Sequence, residues 1–503
     1  MKNWFVFFLV FSQLIVVSSK AGTKLDFKTV DMLTYRCYEE KKWDSVIIVG
    51  KQALHQGIDY YYLRVRMGIS YFEKKEYFPA VTHLNKAREF NSGDPVIADY
   101  LYHSYLYLNR EEEAQLIKEK NPKGKNEEAN IRNSVLEQVN FEVGYSLSNA
   151  KKSLQIPRPM PQAGKFGGQE IYGEEALYGN SLYGNLGLKL RIFKRLELSL
   201  DYNYLNFSKT LNLIDGRFED HFVGATDTIG GKNYHYSFPW VVHDTSLQYK
   251  VNQHEVHFGI SVMLPGGFKI QPAFHFIHAE NTLTNSSLKT TNVQDTAFRS
   301  FNGNTFRTFS FTHYDYSFYQ KDTSFNNFVI ALMVTKYIGI FNIGISGSWS
   351  NLNNKTQKQA GMMLAYYPLG NLNLYGTSFL TEFFQAKETR LLLGQILGAK
   401  LTAWCWVEGA FYWGDYSNAN ILDGSIVYNN SDKIDYRVAG TLTFIVGSHL
   451  QLSLIYQYFR NENQQVYHIK TLNPVTKDFH DQVLTKNNPY SINNLIGGIT
   501  WKL

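Results

Sequence analysis

The 503-residue chain has only two cysteines, Cys37 and Cys405, and they lie far apart in segments of different character. Two distant cysteines cannot make a disulfide framework, so the fold must hold without one. After the first twenty or so residues no run approaches eighteen consecutive apolar residues. That excludes a membrane-spanning helix and leaves strands as the only way to cross a bilayer. The chain also lacks a one-sided charge. Its formal net charge is +6, with both signs interspersed and no basic stripe, so nucleic acid is not expected as a partner. No motif calls for a cofactor.

Aromatics are abundant instead, 16% of the chain with 35 Tyr and 35 Phe. The start, MKNWFVFFLVFSQLIVVSSKA, carries Lys2, an apolar run from Trp4 to Val17, and the small-x-small triplet Ser19-Lys20-Ala21. It reads as a secretory signal spanning residues 1–21, a retained anchor being the alternative, and no Cys follows to make a lipoprotein.

Residues 22–119 have a helical period and repeat at 34 residues. Cys37, Tyr71 and Tyr105 stand 34 apart, as do Val46, Ala80 and Ala114, and Ala53 and Ala87. CYEEKKWDSV at 37–46 aligns with YFEKKEYFPA at 71–80 without a gap. This resembles the tetratricopeptide repeat, in which Gly68, Tyr71, Ala80, Ala87 and Ala114 would fall where paired helices pack. The pattern departs at Arg64, where the family has Trp, and at the late Pro95. The resemblance implies a concave groove for a periplasmic protein or peptide; the alternative is an unrelated helical bundle. A polar linker follows at 120–134.

From 135 to 503 the period changes to two. In FNIGISGSWS, for example, Phe341, Ile343, Ile345 and Trp349 alternate with small or polar residues. Fourteen such segments are counted, with sixteen possible if 241–251 or 306–320 join the wall. A soluble sandwich shows the same alternation. Export, aromatics at strand ends and an apparently strict alternation of short and long turns favour an outer-membrane β-barrel facing lipid. The closing Gly498, Trp501 and Leu503 resemble the terminal-strand signal of outer-membrane proteins, read by their assembly machinery, though an aromatic usually stands at the end. The expected fold class is therefore α + β and multidomain: N-terminal tetratricopeptide repeats, then an antiparallel transmembrane barrel in a Gram-negative outer membrane, repeats in the periplasm.

The stretch HEVHFGISVMLPGGFKIQPAFHFIH, 254–278, has a His-x2-His on each side of Pro265-Gly266-Gly267. As a hairpin about that turn, His257 faces His275 and His254 faces His278. Residues three apart in a strand point to opposite faces, so the four cannot share one ion. His257 and His275 would face the lumen, the other two the rim, and a single His pair is an incomplete metal site. Arg191 would face Glu197 inside, near Lys189 and Asp201, with Glu142 and Glu408 also inward. The lumen is thus mixed in sign. The long loop 279–326 has three possible places: in the lumen, above the rim, or as a ligand-binding loop.

This architecture is similar to that of exopolysaccharide-export porins, which implies transport coupled to a periplasmic partner. Two other functions stay open: a non-conducting subunit of a secretion or envelope-assembly complex, and an outer-membrane hydrolase. No nucleophile motif stands out, and the chain is read as a non-enzyme.

Overall fold

The computed structural model describes residues 25–120, 135–156, 169–193, 195–218, 221–228, 231–237, 240–264, 267–299, 305–386, 388–421, 424–472 and 479–503. The signal segment, residues 121–134 of the linker, and Pro265 and Gly266 of the histidine hairpin lie outside them. Contacts divide the chain into two compact units, 1–126 and 127–503.

The first unit consists of six described helices: α1 (Phe27–Glu39), α2 (Trp43–His55), α3 (Tyr61–Glu73), α4 (Tyr77–Phe90), α5 (Pro95–Tyr107) and α6 (Glu111–Lys120). Asp26 caps α1 by accepting from Thr29 N, and Asp94 caps α5 by accepting from Val96 N just before Pro95. The 34-residue period recurs in the backbone. Lys41, Lys75 and Asn109, which end the first helix of each pair, all have positive φ, at 55°, 62° and 56°. At each turn the next residue donates back into the helix, from Lys42 N to Cys37 O (2.8 Å), Glu76 N to Tyr71 O (2.9 Å) and Arg110 N to Tyr105 O (2.9 Å). A left-handed residue with this backbone bond is how a helix satisfies its last carbonyls before turning.

Small residues sit where the helices meet. Val46, Ala53, Ala80, Ala87 and Ala114 are wholly buried. Gly68 lets α3 and α4 approach closely, since a Cβ there would stand 2.6 Å from Leu84 Cγ. Tyr71 stacks on His83 at 5.3 Å. Arg64, which stands in the family's Trp position, pairs with Asp59 at 2.6 Å and reaches His83 Nδ1 at 3.1 Å.

The second unit is all strand. Its elements are β1 (Leu136–Ser148), β2 (Gln169–Phe193), β3 (Leu196–Phe218), β4 (His221–Thr228), β5 (Gly231–Ser237), β6 (Trp240–Leu264), β7 (Phe268–Arg299), β8 (Thr305–Ile338), β9 (Phe341–Ser350), β10 (Gln357–Tyr366), β11 (Leu374–Gln385), β12 (Glu388–Lys400), β13 (Cys405–Trp413), β14 (Asn420–Ile421), β15 (Ile426–Val427), β16 (Lys433–Val446), β17 (Leu450–Leu472) and β18 (Phe479–Lys502). Fourteen of them close an antiparallel barrel, shut where β1 pairs with β18 in the register Glu142↔Gly498. Closure gives each of the fourteen wall strands two neighbours within the barrel, while among the described residues 282–299 pairs only with β8 and 305–328 only with β7. β4–β5 and β14–β15 are separate two-stranded pieces. Residues 241–251 and 306–320 do pair, but as extensions of β6 and β8 rather than as a fifteenth and sixteenth strand.

Several strands run far past the length needed to span a bilayer, about ten residues. β7 and β8 have 32 and 34 residues, and 279–299 pairs with 305–326 as one continuous hairpin. That places the described residues of the long loop, 279–299 and 305–326, in the upper part of two strands above the rim. The alternation of short and long turns is not strict. At the long-loop end β11 and β12 are only two residues apart in the chain, with Gln385 paired to Glu388, whereas seven residues join β10 to β11 at the other.

The outer face of the wall is apolar and uncovered. Phe141, Leu186, Leu200, Phe258, Phe274, Ile345 and Leu454 are exposed, Ile345 at 64%. Exposed aromatics collect at both ends of this band: Trp349, Trp413, Tyr202 and Tyr456 toward the long loops, Phe341, Trp404 and Trp501 toward the short turns. Trp349 lies eight residue steps along the strand from Phe341, roughly 27 Å, or about 20 Å after a ~40° tilt, close to the hydrocarbon band of outer-membrane barrels. Such a belt in water would forfeit a large hydrophobic free energy, so it is built for lipid.

Candidate functional site

The inward faces of the strands carry the polar residues, and one connection fills much of the space between them. In the connection between β13 and β16, residues 414–421 and 424–432 fold back into the barrel rather than out of it. Asn420 bonds Ser348 Oγ on β9 at 2.9 Å and also meets Gln359 on β10. Asn429 holds Asn353 N at 3.1 Å and donates to Asn327 at 3.2 Å. Arg390 on β12 pairs with Asp415 and donates to Ser417 Oγ and O, both at 2.9 Å.

Apolar contacts back these bonds. Tyr416, Ala419 and Ile421 pack with Phe383, Leu392, Tyr412, Ile434 and Phe459, and Val427 lies on Ile277, Val329 and Leu352. The tip approaches the wall so closely that a Cβ at Gly424, where φ is +84°, would stand 3.1 Å from Ala331 Cβ. Only glycine takes both that dihedral and that distance without strain.

The histidine pair belongs to this contact. His257 and His275 are opposite in register, as are His254 and His278. The inner rings stand 5.6 Å apart, centroid to centroid. His275 Nδ1 lies 2.9 Å from Gly424 O, and its Nε2 lies 3.2 Å from Glu255 Oε2. His257 faces Asp201 at 3.4 Å. His254 and His278 take other partners, Tyr202 and Asn326, each at 2.7 Å. Among the described residues no group of three His, Cys, Asp or Glu could hold a metal ion.

In the first hairpin Arg191 and Glu197 are opposed in register, and ion pairs join Lys189 to Glu197 at 2.9 Å and Arg191 to Glu137 at 2.5 Å. Long side chains on a twisted sheet reach diagonal partners readily. Glu142 and Glu408 line the lumen and accept from Tyr183 at 3.4 Å and Tyr375 at 2.7 Å. Gly498 makes room on β18 for Ser453 and Glu142, while Trp501 and Leu503 are exposed at its end. Leu503 N donates to Glu137 O at 2.8 Å across the seam.

Beside the plug is a cavity of about 600 Å³, within the size range of sites for drug-sized molecules. Its walls combine Phe207, Tyr412, Tyr428, Phe459 and Ile492 with Glu142, Glu255, Glu408 and Arg437. Reading the sequence missed the plug, Glu255, Arg390 and Arg437. The one local signal was the apolar residues Ile421, Ile426 and Val427 among asparagines in a loop otherwise expected to be polar.

A closed barrel with an apolar belt between aromatic girdles and a polar interior is a transmembrane barrel of the outer-membrane class. Among the described residues no helix is long and apolar enough to cross a membrane. No family model and no curated protein matches the sequence. Among solved structures the barrel is similar to a Pseudomonas aeruginosa FadL homologue (7% identity over 73% of this chain and 90% of that one, TM-score 0.35). It is also similar to the Ralstonia pickettii toluene transporter TbuX (10%, 73% and 90%, TM-score 0.27). The helices are similar to a point mutant of MamA (17% identity over 18% of this chain and 68% of that one, TM-score 0.18). At such identities and scores, function rests on the geometry of this chain.

Proposed function

We propose that this protein is an outer-membrane channel whose lumen is closed by segment 414–432 and opens when that segment moves. The observation that carries the reading is the plug itself: an inward connection, held by polar contacts, beside a cavity sized for a small molecule. Hydrogen bonds inside a barrel exchange with water at modest net cost, so the polar latches can release while the apolar contacts of Tyr416, Ala419 and Ile421 keep part of the segment seated. The helical unit, with its tetratricopeptide-like period, serves in this reading as a periplasmic docking module for a protein or peptide.

The test is single-channel conductance in planar bilayers. The intact chain is expected to be silent or to open briefly, and a chain with 417–429 replaced by a short Gly-Ser linker is expected to give steady open steps. Silence in both would end the channel reading. It would favour the second one, a non-conducting subunit of an envelope-assembly complex, which the number of bonds tying the plug to four or more strands supports.

A further inference from the structure

Among the described residues of the cavity wall, Arg437 is the charged side chain left short of partners. It sits on β16 facing inward, opposite Tyr412 on β13 and Phe459 on β17, and is only 8% exposed. Its Nη1 donates to Tyr428 OH at 2.6 Å, and its guanidinium lies 5.0 Å and 5.5 Å from the Tyr412 and Phe459 ring centroids. Its Nε, buried, has no hydrogen-bond partner, and no carboxylate pairs with it among the described residues.

The acidic residues of the same cavity are served differently. Glu142 and Glu408 take phenol hydrogen bonds, and Glu255 takes Asn203 Nδ2 at 3.2 Å and faces His275. A buried guanidinium with unfilled donors is costly unless an anion completes it. Its planar fork suits a carboxylate or sulfonate, and the rings around it suit an apolar body.

We propose that the cavity binds an amphipathic organic anion, its acid group on Arg437 and its apolar part against Phe207, Tyr412, Tyr428, Phe459 and Ile492. The assignment rests on the channel reading, as the cargo class of the same lumen. Tyr428 belongs to the plug segment and Arg437 to the wall, so an anion on the guanidinium would compete for the bond joining the two.

The experiment is isothermal titration of the full chain in zwitterionic lipid nanodiscs, with empty discs as the blank. The probes are 4-phenylbutyrate and 4-phenylbutanol, which share an apolar body and differ in the acid group. The intact protein is expected to bind the acid tighter than the alcohol by roughly tenfold to a hundredfold, the worth of a charge-assisted hydrogen bond. Arg437→Met should bring the acid down to the level of the alcohol and leave the alcohol unchanged. Arg437→Lys should keep part of the preference. Equal binding of both probes by the intact protein, binding of neither, or a preference that survives Arg437→Met would each overturn the assignment. The first two need no variant, so they decide even if Arg437→Met fails to fold. Conductance of the plug-shortened chain stays an independent readout: steady steps without acid preference would sink the ligand class and leave the channel standing.

Discussion

His275 Nδ1 and Gly424 O, 149 residues apart in the chain, meet at 2.9 Å inside the barrel. The other nitrogen of the ring faces Glu255 Oε2 at 3.2 Å. The ring thus bridges the tip of the inward segment and the wall, with one nitrogen on each.

Gly424→Val should unseat that tip. A β-branched residue at φ +84° costs about 1–2 kcal/mol in the left-handed region, and its Cβ would crowd Ala331. If segment 414–432 is the gate, open probability in planar bilayers rises by roughly tenfold or more. An unchanged open probability would mean that the tip contact does not hold the gate.

Ile345→Arg places a charge in the middle of the apolar belt. In lipid this should lower barrel stability by about 2–4 kcal/mol, read as a shift of the urea midpoint of folding into vesicles. A barrel whose outer face met water would instead tolerate or welcome the charge.

Gly68→Val should destabilise the helical unit by about 1–3 kcal/mol through overpacking, because the new side chain has Leu84 in its way. The helical signal at 222 nm, followed through a thermal melt of the full chain, isolates this unit from the all-strand barrel. An unshifted melt would show that α3 and α4 are not held at this distance.

Acidification should weaken the same unit through His83. Burial, with Arg64 nearby, holds its imidazole down at about 4 from an ordinary value near 6.5. Between those two pH values the unfolded chain carries a proton that the folded one refuses. This contribution is complete above pH 6.5 and is lost on acidification through that window, at about 1.4 kcal/mol per pH unit. His83→Gln should flatten the difference in melting temperature between pH 7 and pH 5. An equal slope in both proteins would remove His83 as the cause.

The strand count and the helix pairs were legible because each writes a period into the chain. Period two along FNIGISGSWS places Ile345 outside and Ser346 inside whatever the partners are, and the 34-residue spacing of Val46, Ala80 and Ala114 marks three equivalent helix starts. The plug was not legible because its contacts are made one residue at a time to distant strands: Asn420 to Ser348, Asn429 to Asn327, Gly424 to His275. A turn-rich segment of Asn, Ser and Gly reads the same whether it points outward or inward. The ion pairs of the first hairpin were half legible. Register set Arg191 opposite Glu197, but its ion pair with Glu137 joins β2 to β1, a strand outside that hairpin.

The seam between β1 and β18 sets the order of events in biogenesis. Ser491 N bonds Asn149 Oδ1 across 342 residues, and β18, the last strand, is the one that closes the edge of β1. Until the last strand arrives, the wall is an open sheet with two sticky edges and an uncovered apolar face. Closure is therefore the slow, late step expected of contacts so distant in sequence, and the nascent barrel needs shelter until then. The plug joins two neighbouring wall strands, β13 and β16, so it enters the lumen from within the wall and not from either strand of the seam.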